Sequence, residues 1–112
     1  MIINPYRPIL FLLLVFSLTT GQSSAANIAA GKAKAEAVCQ TCHGMNGLAT
    51  MPMVANISGQ QEGYLIAQLK NYRAGKRVHA QMSIIAKMLT DEEIEDVAKW
   101  YSSMRLQVEL PE

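Results

Sequence analysis

Aromatic side chains are scarce: one Trp, four Tyr and two Phe among 112 residues. Cysteine is scarcer, with two, too few for a disulfide-built scaffold or a four-cysteine zinc site. Charge of one sign is missing as well. Ten basic residues face nine acidic ones, and a formal charge of +1 excludes a strongly basic nucleic-acid surface. No apolar run reaches the ~20 residues needed to span a bilayer. No segment alternates apolar and polar residues in the way of a strand next to a helix. Against these absences stand 50% apolar content and a modest 17% of charged residues, which exclude a disordered chain. The length fits one small domain.

Residues 1–26 read as an export signal: Arg7, an apolar run from Ile9 to Leu18, a small polar stretch from Thr19 to Ser24, and Ser24-Ala25-Ala26 as the cleavage site. An uncleaved anchor is the alternative, but the run is about half of what a span requires. No cysteine follows the run to take a lipid. The expected boundaries are a signal peptide at 1–26 and a single domain at 27–112, with a periplasmic destination and no membrane span after cleavage. Arg7 is the only charged side chain removed, so the remaining 86 residues are neutral overall. A core of that size is marginal unless an attached apolar group helps to fill it.

The rest of the chain reads as helices. Asn27 is a candidate cap for an alanine-rich helix over 28–38. Residues 39–59 carry Gly44, Gly47, Gly59, Pro52, Asn46 and Asn56 and read as loop. Ser58-Gly59-Gln60-Gln61 matches a capping box, predicting a helix that runs to Ala74 and stops at Gly75. A polar loop should follow from Gly75 to Ser83, then a short turn over Ile84–Met88. Thr90-Asp91-Glu92-Glu93 is a second capping box. Beyond it Ile94, Val97, Ala98, Tyr101 and Met104 recur at helical spacing. The end, 107–112, should be loose.

One run carries chemistry. Cys39-Gln40-Thr41-Cys42-His43 is C-x-x-C-H, the pattern of covalent haem attachment. Two thiols at this spacing can each bond one vinyl group, and the adjacent His43 then serves as an axial ligand to iron. A structural disulfide gives no reason for the histidine. A thioredoxin-like dithiol wants a βαβ framework, and zinc would need a further ligand such as His79 or a carboxylate.

These residues, with Asn56-Ile57-Ser58-Gly59-Gln60, Tyr64-Leu65, Gln68-Leu69, Gly75-Lys76-Arg77, Met82 and Leu89-Thr90-Asp91-Glu92-Glu93-Ile94, resemble the class I c-type cytochromes, in particular the small bacterial periplasmic monohaem carriers. The resemblance covers about residues 30–103. It implies an all-α fold of three to four helices around one covalently bound haem c, attached at Cys39 and Cys42. It also implies electron transfer rather than catalysis, between redox proteins such as a dehydrogenase or an oxidase. Alternatives are the haem subunit of a larger dehydrogenase, a gas-sensing or peroxidase-like protein with an open sixth site, and a haemless disulfide protein.

For the second axial ligand the mature chain offers Met45, Met51, Met53, Met82, Met88 and Met104. Met45 is too near His43 in sequence, while Met88 and Met104 read as packing. Met51 and Met53 should pass on the histidine side. Met82, 39 residues beyond His43, matches the family's ligand methionine, with His79 as the rival. In the family a proline carbonyl orients the histidine. Ala55 stands at that position here, and either Ala55 or Pro52 could supply the carbonyl. Gly31 resembles the glycine where first and last helices cross, with Trp100 or Tyr101 opposite. Tyr64 and Tyr72 could pack near the haem or cap the core, with core the plainer reading. Lys70, Arg73, Lys76 and Arg77 form either a solvated helix end or a docking patch, with Arg77 a candidate for a haem propionate.

Overall fold

Asn27 caps the first helix as expected: its side-chain oxygen accepts from the backbone N–H of Ala29 and Ala30, at 2.9 and 3.2 Å. The structure is a computed structural model that describes residues 25–112, so the expected export segment lies outside the described residues except for its last two. The elements are α1 (Ile28–Lys34), a π-turn (Ala35–Cys39), α2 (Gln40–His43), α3 (Glu62–Arg73), α4 (Met82–Met88) and α5 (Asp91–Ser102). No strand occurs among the described residues.

The first helix is thus not a uniform α-helix. Gln40 N donates to Ala35 O, five residues back. Such π-bulges admit one extra residue per turn and change which side chains face inward. The Gln40 side-chain amide ties the turn by donating to Glu36 O at 2.7 Å. Cys39 closes the π-turn, and Cys42 and His43 complete α2.

The last helix forms as its sequence predicts. Thr90 Oγ1 accepts from Glu93 N at 3.2 Å and Glu93 Oε2 accepts from Thr90 N at 3.0 Å, a complete capping box. Ile94, Val97, Ala98 and Tyr101 are buried along one face. This helix packs most extensively on α1. A Cβ on Gly31 would lie 2.0 Å from Asp96 O and 3.1 Å from Trp100 Cβ. Trp100 is therefore the residue opposite Gly31, while Tyr101 turns into the core. Two polar ties span the crossing: the buried Asp96 accepts from Asn27 N at 2.6 Å, and Lys34 pairs with Glu93 at 2.6 Å.

Residues 40–43, read as loop, form α2 instead. Two helix starts are also corrected. The Ser58–Gln61 capping box does not form, and α3 starts three residues later than it implied, behind Gln61, whose side chain makes no cap bond. Tertiary contacts claim the segment first. Ser58 N donates to Gly47 O, and Gly59 N donates to Tyr101 O. Gly59 holds φ of 63°, which a helical residue does not adopt. The predicted stop at Gly75 is correct, with φ of 74°. Secondly, Met82 is not in a loop. It is the first residue of α4, which extends two residues further toward the N-terminus than its apolar run suggested. Within α4, Ala86 is buried and Met88 is 65% exposed, so Met88 is not a packing residue.

α3 packs on both α4 and α5. Arg73 joins its end to the α4–α5 junction, donating to Leu89 O at 3.2 Å and pairing with Asp91. The buried core is small. Ala35, Leu65, Ala98 and Tyr101 form one cluster, and among the described residues only Tyr101 and Ile94 are large and fully enclosed.

Candidate functional site

Beside this small core lies a cavity of about 680 Å³. Protein interiors are normally packed with few voids larger than water, so a space of this size in a domain this small is a binding site rather than a packing fault. Its walls carry Cys39, Cys42 and His43 from the first helical segment and Met82 from α4. α4 packs on α3, and α2 has no extensive contact with either, so the cavity separates the two groups. Leu65, Leu69, Ile85, Leu89, Val97 and Tyr101 make much of the remaining wall apolar. A second, open groove of about 430 Å³ by Lys32, Met45 and Trp100 holds neither cysteine nor histidine.

The three chemical residues of the C-x-x-C-H run reach the cavity together because the π-turn and α2 are held from behind. Tyr101 donates to Gly44 O at 3.0 Å, and Trp100 Nε1 donates to Met45 O at 3.1 Å. Two adjacent aromatics of α5 thus fix the two residues that follow His43. His43 Nδ1 lies 2.9 Å from Ala55 O. A carbonyl only accepts, so Nδ1 carries the proton and Nε2 keeps the lone pair that can bind a metal. The orienting carbonyl is Ala55, and Pro52 lines the cavity without this bond.

Burial pushes the Cys39 thiol up to about 11, with Lys34 pulling the other way. A thiol held protonated at neutral pH is not the activated nucleophile of a dithiol redox enzyme. Burial, with a contribution from Cys39, also pushes Tyr101 above the usual phenol range.

Three features of the bare polypeptide fit a haem. Both thiols are free and half-buried at the wall. One imidazole is fixed in the tautomer that leaves Nε2 for iron. A thioether comes from a separate helix, and the walls between are largely apolar. No group of three or more metal-ligating side chains competes for a bare ion among the described residues.

A family model for cytochrome c matches residues 28–105. The chain belongs to the cytochrome c family. Cytochromes c bind haem c covalently, and this member has the two cysteines, Cys39 and Cys42, that such attachment requires. Its sequence is 37% identical over 97 residues to cytochrome c4 of Pseudomonas aeruginosa, covering 87% of this chain and 48% of that one. It is 40% identical over 82 residues to cytochrome c-554(548) of Halomonas halodenitrificans, covering 70% of this chain and 98% of that one. The fold resembles reduced cytochrome c4 from Pseudomonas stutzeri, with a TM-score of 0.66, 33% identity, and coverage of 72% and 47%. The chain spans about half the length of the cytochromes c4 it matches. The fold is that of a class I cytochrome c, all-α as the sequence implied.

Not every site residue was legible. Tyr64 and Tyr72, expected in the core, line the cavity instead, and Tyr64 is 48% exposed. Met51 and Met53, both exposed, also border it. Arg77 also reaches the wall, donates to Gln68 at 2.8 Å and stacks 4.8 Å over the Tyr72 ring. His79 lines the cavity too, but its Nδ1 is engaged with the backbone of α4. The Ala55 carbonyl was one of two candidates for orienting His43, whereas the His79 contact was not expected, because histidine is not among the usual capping side chains.

Proposed function

We propose that this cytochrome c carries single electrons between redox proteins, with haem c bonded to Cys39 and Cys42 and its iron held by His43 and Met82. The observation that carries the reading is one largely apolar cavity lined both by the C-x-x-C-H run and by Met82 of a separate helix. The haem, when bound, supplies a one-electron iron couple, and His/Met ligation favours its reduced form. His43 Nε2 would be free to hold the iron, because Ala55 O takes the proton on Nδ1. Leu65, Leu69, Ile85 and Val97 keep water from the cavity wall, so the site reorganises little when charge changes. With Met82 on the iron, no place would remain there for a substrate, as a carrier rather than an enzyme or gas sensor requires. Redox proteins are the partners this reading requires.

The same reading includes export to the periplasm and cleavage before Asn27. Asp96 supports that boundary. Its buried carboxylate accepts from Asn27 N at 2.6 Å, so cleavage there would set a new α-ammonium against a carboxylate that needs a cation. No helix among the described residues is long and apolar enough to cross a membrane.

The test is carbon monoxide binding by the reduced holoprotein at neutral pH. A carrier with a firm Met82 bond binds it slowly or not at all, and Met82→Ala binds it rapidly. Rapid binding by the unaltered protein would overturn the assignment of Met82.

A further inference from the structure

We propose that His79 is a positioning residue for Met82: its imidazole caps α4 and sets where the thioether enters the cavity. The inference rests on reading Met82 as the axial ligand. α4 has only seven residues, too short to hold itself by backbone bonds alone. The residue before it, Gln81, makes no side-chain cap. The task falls to His79. Its Nδ1 accepts from the backbone N–H of Gln81 and of Met82, each at 3.3 Å. In return His79 N donates to Ser83 Oγ at 3.1 Å, and Ser83 N donates to His79 O at 3.0 Å.

This is the reciprocal logic of a capping box, with the His79 imidazole in place of the capping hydroxyl and the Ser83 hydroxyl in place of the returning carboxylate. One of the two donors is the backbone N–H of Met82 itself. The tie is also locally unsupported. Val78 is 82% exposed, and residues 74–81 are exposed throughout. Every side-chain hydrogen bond reaching residues 79–83 involves His79 or Ser83. An Nδ1 that accepts from two N–H groups places the ring proton on Nε2 in the neutral ring. In that tautomer neither nitrogen is free for iron, so His79 serves the methionine rather than competing with it.

The experiment uses the ferric holoprotein and its His79→Ala, His79→Asn, Ser83→Ala and Met82→Ala variants. Two signals are read: the weak far-red iron–sulfur band, and the rate at which added imidazole displaces the sulfur. Losing a helix cap of ordinary strength should speed displacement in His79→Ala by about 3- to 20-fold and weaken the band. Asn keeps a side-chain acceptor and should restore the rate to within about 3-fold of the parent, because Asn is a good capping residue. Ser83→Ala, which loses half of the exchange, should fall between. Parent-like displacement in His79→Ala, or no rescue by Asn, overturns the positioning role. A band that survives in Met82→Ala overturns the ligand reading instead, so the two failures are told apart.

Discussion

At the scale of single residues, the site divides into groups fixed by covalent neighbours and groups fixed by the fold. Cys39, Cys42 and His43 belong to one five-residue run, and their spacing alone carries the haem-attachment reading. Met82 was singled out by family resemblance, but its place at the start of a helix was not expected, since histidine is not among the usual capping side chains. Tyr64 and Tyr72 were misplaced because a tyrosine beside a cavity and a tyrosine in a core have the same sequence pattern. Met82→Ala should lower the reduction potential and abolish the far-red ferric band; an unchanged spectrum removes Met82 from the iron. Asp96→Ala should lower stability by about 1–3 kcal/mol, the cost of leaving the part-buried Asn27 N without its acceptor, readable as a shift in thermal midpoint. A midpoint equal to the parent's would show that this bond carries no stability.

Among the elements, the two capping boxes make an instructive pair. Thr90–Glu93 formed because nothing else claims its backbone. Ser58–Gln61 failed because Gly47 and Tyr101 take the same segment's N–H groups. Local patterns thus predict a helix start only where tertiary bonds leave it alone. Thr90→Ala should cost about 1 kcal/mol, or roughly 4–8 °C in a domain of this size. Glu93 adds a pH dependence. Its carboxyl is held below the ordinary range by the Lys34 hydrogen bond, and next by Thr90 N. A folded-state value below the unfolded one gives stability that is complete above the usual carboxylate range and lost as pH falls through the lowered value. The midpoint difference between the parent and Glu93→Gln should therefore shrink in acid. At the α1–α5 crossing, Gly31→Ala would drive a Cβ into Asp96 O at 2.0 Å, forcing the helices apart. That change should cost at least about 1–3 kcal/mol, seen in the same melting experiment.

For the whole molecule, the balance between a thin core and a large cavity is the defining feature. Few large side chains are fully buried, and much of the apolar surface points into space sized for a ligand. A chain of this length is marginal without something that completes its interior. The haem is then part of the core as well as the redox centre. The small size of the expected domain made that need visible in the sequence; the shape of the cavity depends on α2, α3, α4 and α5 meeting and was not. The central claim is tested most directly by intact-mass and peptide analysis of protein made in cells competent in cytochrome maturation. The peptide spanning residues 39–43 should carry one haem through both sulfurs, whereas unmodified Cys39 and Cys42 in such a preparation would contradict the account.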